Sequence, residues 1–493
     1  MQDRTPAEMV TENNPDDQIL DPELDEGGED EGDDAGEDGE VGEASDKAFD
    51  PNRQLKNLTQ ISHESNDSLR RRRKRAKVSK IQSRNQPQNN YNNHNNHNNH
   101  SNKKKRRPEK DEMVSDFTSD FDPRSETEEY TGFIQVMDQG HAFMRSEKTS
   151  FMPQEGDILV SREMVNRFGL RSGHKIHGLV RTKKNRRQKL VTHIMTIQDQ
   201  PVEIWRPSPL FGTLTSVNPY ENYKLSSPVD ADKSMILLEL LTPIGKGQRG
   251  LIVSPPRSGK TMLMEKTANG IAYNHPEAEI MLLLIDERPE EVTHLTRKVK
   301  GKVYASCLDK PIEEHIALCQ MVIDIAQRKV ESGKDVVILL DSITRMSRAY
   351  NNQLKSSGRT LSGGVDAKAL QEPKKFFGAA RKLEEGGSLT IIATALVQTG
   401  SQMDEVIFQE FKGTGNMELV LNRRLAEKRI YPAIDIGMSG TRREELIMPP
   451  EVFKAASKFR RYLANMTEAN QMPAAIQALE KYKSTSDFVT AFA

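Results

Sequence analysis

Apolar and polar positions alternate in two distinct rhythms after about residue 130, and in neither before it. Short apolar runs come first: Gly132-Phe133-Ile134-Gln135-Val136-Met137, Ala142-Phe143-Met144, Asp157-Ile158-Leu159-Val160, Lys175-Ile176-His177-Gly178-Leu179-Val180 and Leu190-Val191-Thr192-His193-Ile194-Met195. Gly and Asp punctuate them, which predicts five short strands. A helical piece from Arg162 to Phe168 ends at Gly169, a residue suited to a left-handed cap. Five strands with one helix fit a small OB-fold β-barrel over residues 129–200, an architecture that binds single-stranded nucleic acid.

Residues 201–235, with their Pro, Ser and Asn, read as a connector. From 236 to 493 apolar strand runs alternate with helical stretches. The strand candidates are Leu251–Ser254, Ile280–Ile285, Val303–Ser306, Val336–Leu340 and Leu389–Ala395. Between them Ile312, Ile316, Cys319, Ile323, Ala326 and Val330 recur at helical spacing. This alternation predicts an α/β domain with a mainly parallel sheet.

Charge redraws the first quarter of the chain. The net charge of the 493 residues is −1. Residues 1–50 carry −18, residues 51–110 carry +14, and the remainder carries +3. The near-neutral mean therefore conceals an acidic block and a basic block. Residues 1–128 cannot bury enough apolar surface to offset chain entropy, and are expected to form a disordered extension. The clusters Arg70-Arg71-Arg72-Arg73-Lys74-Arg75 and Lys103-Lys104-Lys105-Arg106-Arg107 read as an RNA-binding arm. An Asn/His tract between them reads as low complexity. No apolar run approaches the roughly 20 residues of a membrane span. With only Cys307 and Cys319, the chain suits a reducing compartment, and a cytoplasmic location is expected.

The sharpest chemical signal is Ser254-Pro255-Pro256-Arg257-Ser258-Gly259-Lys260-Thr261, which follows a strand and opens a helix at Thr261. Gly259 lets backbone N–H groups approach phosphates, and the helix N-terminus adds positive potential. Lys260 offers a point charge to the β/γ-phosphates and Thr261 a hydroxyl to Mg²⁺. Ser254 stands where the usual motif has its first glycine. Asp341, closing Val336-Val337-Ile338-Leu339-Leu340, supplies the second metal-site residue. Glu287, closing Leu282-Leu283-Leu284-Ile285-Asp286, is the preferred water-activating base, with Asp286 the alternative. Phosphoryl transfer also asks for an arginine, often one from a neighbouring subunit.

Six strings give these residues a family. They are Pro243-Ile244-Gly245-Lys246-Gly247-Gln248-Arg249-Gly250, Leu284-Ile285-Asp286-Glu287-Arg288-Pro289-Glu290-Glu291-Val292-Thr293, Leu340-Asp341-Ser342-Ile343-Thr344-Arg345, Gly363-Gly364-Val365-Asp366-Ala367, Phe411-Lys412-Gly413-Thr414-Gly415-Asn416 and Ser439-Gly440-Thr441-Arg442. In this order they resemble the bacterial transcription termination factor Rho family, over roughly residues 130–493. The resemblance implies a homohexameric, RecA-like P-loop ATPase that uses ATP and Mg²⁺. It implies translocation along single-stranded RNA, unwinding of RNA–DNA hybrid, and release of the transcript from the RNA polymerase elongation complex. Rotary and secretion ATPases share the core fold and form the second enzyme reading. An RNA-binding protein with an inactive P-loop is the third.

By position, the resemblance implies ATP contacts at Pro256, Arg257, Ser258, Gly259, Lys260, Thr261, Met262, Arg288 and Tyr431, the last against adenine. Arg442 resembles an arginine finger given in trans, and Arg288 and Arg345 resemble interface or phosphate-sensing arginines. RNA contacts are implied at Phe143 and Arg145 in the barrel. In the ring channel they are implied at Arg359, Thr360, Gln402 and Lys412. Two departures stand in the barrel: His141 replaces an aromatic, and Leu159 stands where a tyrosine is frequent. Weaker or altered base binding is the expected result. The small helical domain that commonly precedes the barrel is not recognisable.

Overall fold

The computed structural model describes residues 126–182, 188–227, 232–354 and 362–492. The acidic block, the basic clusters, the Asn/His tract, Arg359 and Thr360 lie outside the described residues.

The first described body is a barrel of β1 (Glu128–Val136), β2 (Ala142–Arg145), β3 (Ile158–Val160), β4 (Lys175–Thr182) and β5 (Lys189–Ile197), with β6 (Gln200–Pro201) appended. Their order is β3-β2-β1-β4-β5-β6, and a β3–β5 pairing at Leu159 and Leu190 closes the ring. Helix α1 (Arg162–Phe168) follows β3. Ser161 caps its start and Gly169, at φ 59°, its end, as the sequence predicts. Ile134, Met144, Val160, Ile176, Val191 and Ile194 fill the interior.

After β7 (Ser216–Val217) and α2 (Lys233–Leu241) comes the larger α/β body. Its strands are β8 (Arg249–Ser254), β9 (Glu279–Glu287), β10 (Lys302–Cys307), β11 (Asp335–Asp341), β12 (Arg381–Leu383), β13 (Ser388–Leu396), β14 (Met417–Val420) and β15 (Gly440–Thr441). The main path runs β10-β9-β11-β13-β8-β14-β15, parallel except for β15. Helices α3 (Lys260–Asn274), α4 (Pro289–Lys298), α5 (Ile312–Glu331), α6 (Ile343–Gln353), α7 (Gln371–Gly378) and α8 (Gln402–Lys412) connect or flank these strands. Leu282, Leu284, Val337 and Leu339 enter one apolar cluster, while Met281, Leu283, Val336 and Ile338 enter the other. Both faces of the sheet are thus covered, which is why its strands read as unbroken apolar runs. Three helices, Pro450–Ala464, Glu468–Leu479 and Thr485–Phe492, pack on the first cluster.

The barrel is keyed into this body rather than tethered beside it. Phe151, only 2% exposed, joins the second motor cluster together with Phe133 of β1 and Phe211 of the connector. Its ring meets Phe133 edge-on at 5.8 Å and Tyr304 of β10 at 6.0 Å. Just upstream, Glu147 binds Lys302 Nζ through both oxygens at 2.5 Å. Gly173 approaches the α5 backbone so closely that a Cβ there would fall 2.4 Å from the Asp324 carbonyl carbon. No described helix is long and apolar enough to cross a membrane.

Candidate functional site

Three strand ends bring the predicted phosphate chemistry together at the C-terminal edge of the parallel sheet, where open α/β sheets place their ligands. β8 ends at Ser254, β11 at Asp341 and β9 at Glu287. Between β8 and β11, β13 contributes Thr394.

The loop after β8 is tied by its own side chains. Ser254 Oγ lies 2.8 Å from Ser258 Oγ, which donates to the Pro255 carbonyl at 2.8 Å. Ser254 thus takes up a side-chain bond at the position where the usual motif has glycine. Gly259 has φ 90° and precedes α3, which starts at Lys260, one residue earlier than the sequence suggests. A left-handed residue at the helix entrance turns successive N–H groups toward one point, the geometry of an anion nest. Pro256 and Arg257 are exposed at the loop tip.

Lys260 Nζ reaches Asp341 Oδ1 at 2.5 Å, and Thr394 Oγ1 donates to the same oxygen at 2.7 Å. Asp341 is fully buried and its Oδ2 has no hydrogen-bond partner; Glu287 is 4% exposed and its Oε2 has none either. Such orphaned buried oxygens call for a ligand to satisfy them. Burial pushes the Glu287 carboxyl up to about 7; Lys260 opposes this rise, while Asp341 and Glu291 add to it. Arg345 stands 3.6 Å from Glu287 and pairs with Asp286 at 2.7 Å. Asp286, the alternative base, is the closer partner of Arg345, whereas Glu287 Oε2 faces Arg345 Nε at 3.6 Å and makes no hydrogen bond. Arg288 is exposed and forms the N-terminal cap position of α4.

Tyr431, 44% exposed, lays its ring edge over the phosphate loop: a Cβ on Gly259 would lie 3.3 Å from Tyr431 Cε1. Met262 is also exposed on the first turn of α3. Arg442 lies elsewhere. It follows β15, whose Thr441 pairs with Met417, which in turn pairs with Gly250 at the start of β8. The Arg249 guanidinium there is held below its ordinary value first by burial, then by Arg381 and Arg442. The length of β8, about 16 Å at 3.3 Å per residue, separates that end from the phosphate loop.

In the barrel, Phe143 lines a cavity of about 720 Å³ with Arg145, Pro153–Asp157 and Gln188. Arg145 is buried at 4% exposure, pairs with Asp157, donates from Nε to Gln135 at 2.9 Å, and sits 5.2 Å from the Phe143 ring centre. Its charge is already engaged, so it supports the aromatic more than it reaches outward. His141 meets Phe143 edge-on at 5.3 Å, retaining a ring beside it. Leu159 pairs with Phe143 across β2 and β3.

Among the channel residues, Gln402 is the first residue of α8 rather than part of a free loop. Gly363 packs on its backbone, where a Cβ would come within 2.9 Å. The segment at Gly363 and the start of α8 are therefore in contact. Lys412 closes the same helix, about 15 Å away at 1.5 Å per residue, so it does not share a local site with Gln402.

The sequence reading did not single out Thr394 or Glu291. Thr394 is a mid-run strand residue, and Glu291 reads simply as an acid favoured in the first helical turn.

A parallel-sheet P-loop ATPase joined to an OB-type barrel is the class this fold and site define. Comparison with known proteins makes it specific. Residues 235–441 match the nucleotide-binding domain of the ATP synthase alpha/beta family, and residues 130–203 match the Rho termination factor RNA-binding domain. Transcription termination factor Rho of Cereibacter sphaeroides is 49% identical over 72% of this chain and 85% of its own. That of Escherichia coli is 48% identical over 72% of this chain and 86% of its own. A solved ATPase from a type III secretion system of pathogenic bacteria shares 22% identity, with a TM-score of 0.47, over 57% of this chain and 87% of that one. The chain belongs to the transcription termination factor Rho family.

Proposed function

We propose that the protein terminates transcription as an RNA-dependent ATPase that translocates along nascent single-stranded RNA in the cytoplasm. In this reading it unwinds RNA–DNA hybrid and releases the transcript from the RNA polymerase elongation complex. The observation that carries it is the union, in one chain, of the Lys260–Asp341–Glu287 cluster with a barrel matching a Rho RNA-binding domain.

The residues fit ATP and Mg²⁺. Thr261 and Asp341 would hold the cation, and Asp341 Oδ2 is an acceptor still to be satisfied. When bound, Mg²⁺ supplies neutralisation of phosphate charge. Lys260 exchanges its Asp341 partner for the β/γ-phosphates, and the N–H groups around Gly259 cradle them. Tyr431 and Met262 offer apolar surface to the base. Glu287 Oε2 accepts a proton from the attacking water; burial places its affinity for that proton near neutrality, where a general base works best. Arg442 is too far from its own phosphate loop to stabilise the transferring group. It serves the loop of an adjacent copy, so that sites form between the subunits of the homohexamer that the family resemblance implies. Phe143 stacks bases at the barrel cavity. Arg359, Thr360 and Gln402 contact the RNA in the channel, with Lys412 as a further contact.

The deciding experiment is ATPase measured with and without poly(C), followed by transcript release from stalled elongation complexes. Strong RNA stimulation and release are expected. A rate indifferent to RNA would defeat the reading and favour the secretion-type ATPase.

A further inference from the structure

The hydroxyl assigned to the cation has a partner outside the phosphate loop. Thr261 Oγ1 lies 3.4 Å from Glu291 Oε2. Glu291 occupies the first turn of α4, four residues beyond Glu287. The two helices meet again at Glu265 Oε2 and His294 Nε2, 2.9 Å apart. We propose that Glu291 is a positioning residue that accepts the Thr261 hydroxyl proton and so turns the oxygen's lone pairs toward the cation. The proposal rests on the assignment of Thr261 to Mg²⁺.

A hydroxyl has one proton and two lone pairs, and its proton rotates to the best acceptor available. With no acceptor behind it, that proton can point into the site and oppose a cation. Neither Asp341 oxygen accepts from Thr261: Oδ1 takes Lys260 and Thr394, and Oδ2 has no hydrogen-bond partner. Glu291 is the acceptor that the structure places beside Thr261, on the side of α4. Its carboxylate also belongs to the same electrostatic neighbourhood as the base, since it is among the charges that favour the proton on Glu287. The 3.4 Å separation is long for a hydroxyl–carboxylate bond, and contacts of this kind tighten when the site fills. Because α4 follows directly on β9, the same bond ties the phosphate-loop helix to the strand that carries Glu287.

The test uses the full chain and a fluorescent, non-hydrolysed ATP analogue, with binding followed as MgCl₂ is raised. Removing an outer partner of a metal ligand typically costs about 10–100-fold in metal affinity. Glu291→Ala is expected to raise the half-saturating Mg²⁺ concentration by about tenfold or more. Glu291→Gln keeps an accepting oxygen and should stay near the wild-type value. His294→Ala breaks a second α3–α4 contact, while the bond from Asn269 to the Lys298 carbonyl remains, and should leave the Mg²⁺ requirement unchanged. A wild-type Mg²⁺ curve for Glu291→Ala would overturn the proposal, and so would an equal shift in His294→Ala, which would make the effect one of helix docking. A wild-type protein whose analogue binding ignores Mg²⁺ altogether would instead remove the assignment of Thr261 beneath it.

Discussion

In the motor, Lys260, Asp341 and Glu287 arrive from three different strand ends, two of them buried carboxylates with an oxygen left open. In the barrel, Phe143 stands half-buried on a single strand at the mouth of an open cavity, its neighbouring Arg145 already paired. The first arrangement works through desolvation and convergence, so one altered atom changes charge, proton affinity and geometry together. In the proposed reading, the second works through the part of the ring left uncovered, which any base can stack on. The contrast bears on two departures from the family pattern. His141 and Leu159 sit in the barrel, where ring area is graded. The Lys-Thr, Glu and Asp set of the motor is complete.

The sharpest break between the regions should come from Arg442. Arg442→Ala is expected to lower turnover by about a thousand-fold to a hundred-thousand-fold, the range of an arginine finger, with RNA affinity unchanged. Mixing it with Lys260→Ala subunits should restore part of the ATPase activity, because mixed interfaces contain one intact site; no recovery in the mixture would place Arg442 outside the site. Next comes Glu287→Gln. Losing a general base costs about a hundred-fold to ten-thousand-fold in rate, while filter binding of poly(C) should stay as in the wild type.

The reverse dissociation is expected at Phe143. Phe143→Ala should weaken poly(C) binding by about 1–3 kcal/mol, read by fluorescence titration, and leave RNA-independent ATPase intact. A parallel loss of basal turnover would show that the two regions are not separable in this way. The smallest effect is in pH. Burial raises Glu287 to about 7, so its base form is lost as pH falls through that value. Turnover should then drop about tenfold per pH unit on the acid side, and the Glu287→Gln residue activity should lack that limb.

The local signals were legible along the chain. Strand runs, the Gly169 cap and the loop before α3 each depend on neighbours within a few residues; the cap stands where the sequence reading puts it, α3 starts one residue earlier, and strands extend up to four residues beyond their runs. Asp341 and Glu287 were readable because strand ends in a parallel sheet share one edge. Contacts between distant segments were not. Phe151 belongs to none of the apolar runs, and only the folded chain shows it in the motor's interior. Glu291 lies inside a family string that gives it no role, and Thr394 lies in no motif; their part is set by what stands opposite them. Gln402 is expected in a loop only because the resemblance implies one at Thr399-Gly400-Ser401-Gln402.

The Phe151 seat bears on how the molecule comes apart. Its ring fills space among Phe133, Tyr304 and the motor's apolar cluster, and losing a buried Phe side chain costs about 3–5 kcal/mol. A protease that nicks the connector would sever the chain without freeing either piece. Heat should likewise melt barrel and motor in a single cooperative step, since neither can loosen without exposing part of the other. The RNA-binding half is a plug in the motor's wall, and to excise it is to open the engine.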